Sequence, residues 1–129
     1  SSDLYLKAPS GGPLVQHALP AMLEFYKQGK ISLEKIAEKM SHAVADCFRI
    51  ENRGYIREGY FADLVLVNLN ESYKVGRSNL LYKCGWSPFE GVRFNSSIVR
   101  TLVNGNTVWN NGKLLDAPSG MRMQFEKDR

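Results

Sequence analysis

Few side chains of this sequence could bind a metal ion or attack a substrate. The imidazoles are His17 and His42, and the thiols are Cys47 and Cys84. A zinc site needs three or four converging ligands, usually including a closely spaced pair such as His-x-His or Cys-x-x-Cys, and the sequence contains no such pair. We therefore predict that this chain holds no metal by its own residues and contributes no catalytic residue.

Structural roles are expected for these side chains. We predict that His17 is structural or solvated, although it follows a glycine-rich loop where it could touch a ligand, and that His42 lies on the surface. Cys47 belongs to an apolar helical stripe and is expected in the core. Cys84 flanks a loop glycine without a neighbouring histidine base, so nothing marks it as a nucleophile.

Three further residues are assigned to packing and turns. Asp63 is the one acid inside a hydrophobic run, and burial of a carboxylate is costly unless it accepts hydrogen bonds. We expect it to accept them from the turn amides at 59–61. In a later loop that contains a proline, Trp86 and Phe89 are expected to be packing anchors.

The best candidate for ligand contact is main chain rather than side chain. The residues Pro9, Ser10, Gly11, Gly12 and Pro13 form a run, here called the glycine loop, in which neither a helix nor a strand can persist. Because glycine has no Cβ, a ligand can lie directly against the N–H and C=O groups of such a loop. The same residues are also compatible with a simple connector.

Three helices are predicted after this loop. Apolar residues at i, i+3, i+4 and i+7 predict a helix over 19–26, with Pro20 in its first turn and Gly29 as its left-handed stop. Ser32 is expected to cap the second helix, and Ser41 a short third one.

The apolar period changes to that of strands from Gly54 onwards. We predict a short strand at 54–59 and a strand buried on both faces at 62–67. Hairpin turns at Asn104-Gly105 and Asn111-Gly112 join the last predicted strands, at 98–103, 107–109 and 113–115. About five short strands with open edges would be marginal alone, which predicts that partner strands come from elsewhere.

Composition fits one ordinary domain and favours no macromolecular partner. The chain has 129 residues, with 17 Lys and Arg against 13 Asp and Glu. These charges are scattered, whereas a nucleic-acid site or an anionic-membrane helix would cluster the basic ones. No run approaches the roughly 20 apolar residues of a membrane span. Two cysteines cannot build a disulfide framework, so a reducing, cytoplasmic location is expected.

Five segments in order resemble the carboxy-terminal part of cyclic amidohydrolases, and of dihydroorotases in particular. They are Ala8-Pro9-Ser10-Gly11-Gly12-Pro13 followed by Ala18-Leu19-Pro20, the helix entry at 29–37, the G-x-I-x-x-G-x-x-A-D-L-V pattern at 54–67, the S-P-F-x-G loop at 86–91 and the hairpin at 101–108. Two structural positions depart from the family pattern: Ala43-Val44-Ala45 replaces Asn-Pro-Ala, and Asn95-Ser96-Ser97 replaces Lys-Gly.

The resemblance implies an α/β parent, a TIM-type barrel with a composite β-sandwich built from both chain ends. A full barrel takes about 250 residues, so this chain would be only the carboxy-terminal part, with the last barrel helices and small sandwich strands. The expected division is 1–50 for the substrate loop and terminal barrel helices, 51–115 for the carboxy-terminal part of the sandwich, and 116–129 for a polar tail.

The implied activity is the zinc-dependent, reversible cyclisation of N-carbamoyl-L-aspartate to dihydroorotate in pyrimidine biosynthesis. The family's metal ligands and catalytic aspartate would all lie upstream of Ser1. Substrate binding would fall to Pro9, Ser10, Gly11 and Gly12, whose backbone would help to hold the substrate ring and its carboxylate. The implied partners are this small molecule, the remainder of its own chain and further copies of the protein, with no nucleic acid and no membrane.

Other interpretations stay open at this point. The parent could be a hydantoinase or an allantoinase, or a catalytically inactive dihydroorotase-like scaffold that has lost its metal ligands. Everything in this chain would look the same in such a scaffold. The chain could also be a stand-alone module, which its unpartnered strands argue against.

Overall fold

Helices come first along the chain and strands second. The structure, a computed structural model, describes residues 11–116 and 120–126, so Pro9 and Ser10 lie outside the described residues. The helical elements are a 3-10 turn at Val15–His17, α1 at Ala18–Lys27, α2 at Leu33–Ala37, a π-helical turn at Glu38–His42, α3 at Ala43–Cys47 and a 3-10 turn at Arg77–Asn79. The strands are β1 at Leu64–Asn68, β2 at Tyr73–Lys74, β3 at Arg93–Phe94, β4 at Ser97–Val103, β5 at Asn106–Asn110 and β6 at Lys113–Leu114.

The helix α1 confirms the first predicted helix. Pro20 lies in its first turn, and Leu23 is buried on its apolar stripe. At the other end Gly29 adopts a φ of +69°. The N–H groups of Gly29 and Lys30 donate to the carbonyls three and five residues earlier, both at 2.9 Å. This is the Schellman arrangement, which ends a helix because glycine tolerates the left-handed conformation.

The next helix has its predicted start but not its predicted end. The Ser32 hydroxyl accepts a hydrogen bond from the Lys35 N–H at 3.2 Å, as expected of a cap. The predicted cap at Ser41 is wrong, because the helix continues without a break from α2 through the π turn into α3. The Ser41 hydroxyl instead donates to the Gly54 carbonyl at 2.8 Å.

The strand predicted at 54–59 is absent, since both of its glycines turn the chain. Gly54 and Gly59 each have a φ of +81°. At Gly54 the backbone approaches α3 so closely that a Cβ would lie 2.4 Å from the Ala45 Cβ. Glycine is required there by space as well as by conformation.

Four strands form an antiparallel sheet in the order β1-β4-β5-β6. Both predicted hairpin turns are confirmed: Asn104 and Gly105 have φ values of 50° and 81°, and Asn111 and Gly112 of 44° and 83°. Two consecutive positive φ values define the type I′ turn, whose twist matches that of paired strands.

A separate two-stranded ladder of β2 and β3 was not foreseen from the sequence. The buried apolar side chains lie in this ladder and in the helices: Leu23, Ile36, Ala45, Val75 and Phe94. The core therefore sits where the helices meet β2 and β3.

The strand β1 was predicted to be buried on both faces, and this is wrong for the described chain. Val65, Leu66 and Val67 are 49%, 46% and 37% exposed. Successive side chains of a strand point to opposite faces of the sheet, and four of the five in β1 are exposed, so the described residues cover neither face. Cys47, predicted in the core, is likewise exposed.

Candidate functional site

The described part of the glycine loop presents its backbone to solvent. Gly11 and Gly12 are both exposed. Gly11 has a φ of +113°, and a Cβ added there would meet no atom within 4 Å. A Cβ on Gly12 would meet only the Leu14 Cγ, at 3.8 Å. The main-chain N–H and C=O groups at this point are thus open to a ligand.

The 3-10 turn that follows the loop is bonded to a distant part of the chain. Gln16 makes three hydrogen bonds to residues 79–82. Its backbone N–H donates to the Tyr82 hydroxyl at 2.8 Å. Its side-chain amide donates to the Asn79 carbonyl at 2.7 Å, and its Oε1 accepts from the Leu81 N–H at 2.9 Å. The side chain of Gln16 thereby bonds one backbone C=O and one backbone N–H of this segment, as the main chain of a neighbouring strand would.

His17, the next residue, is completely buried. Its ring lies 5.7 Å from the Phe89 ring and 6.0 Å from the Phe94 ring, measured between centroids. Removal from water lowers the pKa of His17 below its usual value, since burial disfavours the charged imidazole. Of the two predicted states of His17, structural or solvated, the structure shows the structural one.

Two hydroxyls reach the Nδ1 atom of His17, that of Ser87 at 3.3 Å and that of Tyr82 at 3.5 Å. Each hydroxyl already accepts a backbone N–H, Ser87 from Phe89 at 3.2 Å and Tyr82 from Gln16. Either hydroxyl can therefore donate to an unprotonated Nδ1 or accept from an Nδ1–H, depending on the tautomer of the ring. Among the described residues Nε2 has no hydrogen-bond partner.

Sequence reasoning missed Gln16, Tyr82 and Ser87. Ser87 stands in the S-P-F-x-G loop, so its motif was a signal for it. Gln16 carries no signal of its own, because its partners are more than sixty positions away along the chain. Of the two predicted packing anchors, Phe89 contacts the His17 and Phe94 rings, whereas Trp86 is exposed and that prediction is wrong.

Asp63 caps a different turn from the one predicted. Its Oδ1 accepts from the Asn104 N–H at 2.8 Å, and its Oδ2 pairs with Arg53. Arg53 in turn donates to the Asn104 side chain at 2.8 Å. The carboxylate thus holds the β4–β5 hairpin rather than residues 59–61, a structural role nonetheless.

His42 is only partly exposed, because its ring stacks on Tyr55 with centroids 4.3 Å apart. Tyr55 also lines a surface hollow of about 580 Å³ beside α3. The charged residues around this hollow carry both signs: Asp46, Glu51 and Glu126 against Arg49, Arg53 and Arg57. This balance selects no class of ligand.

The described residues do not fit a metal centre. Within 11–116 and 120–126 no three His, Cys, Asp or Glu side chains converge. The placement of metal ligands elsewhere in a larger protein stays a prediction. In the same described ranges no helix is long and apolar enough to cross a membrane.

Known proteins share the sequence and the fold of this chain. The model of the amidohydrolase family matches residues 10–108. A dihydroorotase of Halobacterium salinarum is 39% identical over 79% of this chain and 24% of its own length. An allantoinase of Desulfitobacterium hafniense is 35% identical over 77% of the chain and 22% of its own.

Among solved structures, an L-hydantoinase of Arthrobacter aurescens superposes with a TM-score of 0.76 at 32% identity, over 86% of this chain and 25% of that one. The chain therefore spans about a quarter of the length of the relatives that it matches.

Proposed function

Because the chain belongs to the amidohydrolase family, we propose that it is the carboxy-terminal part of a dihydroorotase. The observation that carries this proposal is the 39% identity to a dihydroorotase across most of the chain. In the reaction, the terminal ureido nitrogen of N-carbamoyl-L-aspartate bonds to the side-chain carboxyl carbon, and one water leaves. Hydrolysis of the cyclic amide is the reverse of this step. The protein would act in the cytoplasm, as a metabolic enzyme that associates with copies of itself.

The contribution of this chain to the reaction is substrate binding by the glycine loop. Pro9, Ser10, Gly11 and Gly12 would offer backbone groups to the ring amide and to the carboxylate outside the ring. The open space around Gly11 and Gly12 supports this role, because a ligand can reach N–H groups there without meeting a side chain. Such contacts orient a substrate and take no proton from it.

The residues that hold zinc and the catalytic aspartate would both belong to the part of the parent protein outside this chain. Bound zinc in such enzymes supplies a hydroxide near neutral pH and polarises a carbonyl. The described residues offer no site for it, so the proposal assigns this chain no step in the chemistry at the metal.

A hydantoinase or allantoinase activity is the second candidate. It is supported by the similarity of the fold to that of the L-hydantoinase. The sequence identity to the allantoinase, 35%, is also close to the 39% identity to the dihydroorotase. All three reactions open a cyclic amide, so the glycine loop would serve each of them in the same way.

The test is turnover by the full-length, zinc-loaded protein that carries this chain, with dihydroorotate, hydantoin and allantoin compared at equal concentrations. Preference for dihydroorotate supports the proposal, and preference for either other ring overturns it in favour of the second candidate. No turnover of any ring would make the protein an inactive scaffold.

A variant of the loop tests the role of this chain in the same assay. Gly12→Val should raise the KM for dihydroorotate roughly tenfold, the effect of losing about 1.4 kcal/mol of contact with the substrate. Gly120→Val is the matched control, because a side chain at Gly120 also meets open space. An unchanged KM in Gly12→Val would remove the loop from the substrate site.

A further inference from the structure

We infer that Gln16 and His17 are positioning residues, which hold the glycine loop in place by fastening it to the segment 79–89. The inference rests on the proposed function, since it concerns how the proposed substrate loop is kept in its working position. Neither residue needs to touch the substrate for this role. Their contacts instead join two parts of the chain that are far apart in sequence.

The Gln16 bridge is the more specific half of this attachment. Its side-chain amide donates to one backbone carbonyl and accepts from the backbone N–H two residues later, at 2.7 and 2.9 Å. At neutral pH an amide offers a donor and an acceptor side by side in this way, whereas an ionised carboxylate offers acceptors alone. The backbone N–H of Gln16 is itself bonded to the Tyr82 hydroxyl at 2.8 Å, which fixes how far the main chain at position 16 lies from residues 79–81. The side chain has to span that distance, so the length of glutamine is needed as well.

His17 extends the attachment into the core. The Ser87 and Tyr82 hydroxyls reach one atom of its ring from the same distant segment, and Phe89 packs against the ring edge to face. The ring, Ser87 and Phe94 are all buried. The 3-10 turn that carries Gln16 and His17 is thereby fixed to the protein interior.

The described part of the glycine loop has few neighbours around Gly11 and Gly12. A side chain at Gly11 would meet nothing within 4 Å, and Gly12 has only Leu14 nearby; both glycines are exposed. Without an anchor, the backbone at Gly11 and Gly12 would have many conformations, and ordering it on binding would cost affinity. Anchors at positions 16 and 17 therefore set where its backbone groups point before the substrate arrives.

The test compares Gln16→Met and Gln16→Glu with the unmodified full-length protein. Methionine keeps the length of the side chain and loses both hydrogen bonds, so the KM for dihydroorotate should rise about tenfold, as expected for roughly 1.4 kcal/mol. We expect kcat to change by less than about threefold, because the proposed role is in binding rather than in the chemical step.

Gln16→Glu supplies a readout that a general loss of stability would not give. A protonated carboxyl presents one donor and one acceptor, as the amide does, whereas a carboxylate repels the Asn79 carbonyl. The ratio of its KM to that of the unmodified protein should therefore fall as the pH decreases towards 5. Because the ratio is taken at each pH, pH effects that both proteins share cancel.

Gln28→Met is the matched control, since Gln28 is exposed at the end of α1, and its KM should not change. Hydrogen exchange of residues 11–17 and 79–82 is measured on the same proteins, whether or not they are active. Faster exchange in Gln16→Met with a raised KM supports the inference. Unchanged exchange, an unchanged KM or a pH-independent ratio for Gln16→Glu would each overturn it. If the unmodified protein turns over no cyclic amide, the proposed function fails, and exchange alone then reports on the attachment.

Discussion

At the scale of single residues, His17 shows how one environment fixes a side chain in one state. The ring is enclosed by aromatic side chains, and two hydroxyls lie within hydrogen-bond reach of the same ring nitrogen. A protonated ring would carry a charge out of reach of water, since His17 is completely buried. The neutral form is thus a condition for packing here.

This environment predicts how stability depends on pH. The pKa of His17 is lowered in the folded protein, so the unfolded chain binds more protons below its own pKa, near 6.5. Stability should be unaffected above about pH 7 and should fall as the pH drops below about 6.5, until the folded pKa is passed. The thermal midpoint of the full-length protein, measured at pH 7.5 and 5.5, should decrease less for His17→Gln than for the unmodified protein.

His42→Gln serves as the comparison, because His42 is the other histidine of this chain and stacks on Tyr55 near the surface. Equal decreases in the unmodified protein and in His17→Gln would contradict the prediction.

At the scale of elements, local patterns determined what could be foreseen. The first helix and both I′ turns depend on neighbours within a few positions, and those were predicted. The β2–β3 ladder pairs Tyr73–Lys74 with Arg93–Phe94, and two-residue strands leave no period to detect. The Gln16 bridge depends on contacts that no local pattern contains. The strand predicted at 54–59 failed because Gly54 was taken as a boundary, whereas it is a point of close approach to α3.

That close approach predicts a large effect of a very small substitution. In Gly54→Ala the new methyl group would lie 2.4 Å from the Ala45 Cβ, and the φ of +81° would be strained as well. We expect the free energy of unfolding to fall by about 2–4 kcal/mol, from overpacking and backbone strain together. Thermal and denaturant unfolding of the full-length protein would measure this.

Gly59→Ala is the matched control, since Gly59 has the same φ and open space around it. It should cost only the backbone strain, about 1–2 kcal/mol. A further variant that combines Gly54→Ala with Ala45→Gly should recover part of the difference between the two, since glycine within α3 itself costs about 1 kcal/mol. Equal losses in Gly54→Ala and Gly59→Ala would show that the contact with α3 is unimportant.

At the scale of the whole molecule, the described residues expose many large hydrophobic side chains. Val15, Phe48, Ile56 and Leu114 are each more than 60% exposed, in addition to the open faces of β1. The buried apolar core is small by comparison. Exposed apolar patches of this kind mark surfaces that other protein covers, which agrees with a chain that spans a quarter of its relatives.

We therefore expect the isolated 129-residue chain not to unfold cooperatively. Its far-ultraviolet circular dichroism should change gradually on heating, and it should bind a hydrophobic dye such as ANS. The full-length protein is the comparison, with a sharp transition and weak dye binding. A sharp transition of the isolated chain without dye binding would mean that it is a domain in its own right.

The π turn at Glu38–His42 has a consequence for how the family is compared. The hydrogen bonds of a π turn span five residues instead of the four of an α-helix, so the turn holds one residue more. Removing that residue would rotate everything after it by about 100°, which would take Ala45 away from Gly54 and the Ser41 hydroxyl away from the Gly54 carbonyl. We therefore expect relatives with an uninterrupted α-helix at this point to align with a one-residue gap between positions 37 and 43, so that the contacts of Gly54 with Ala45 and Ser41 are kept.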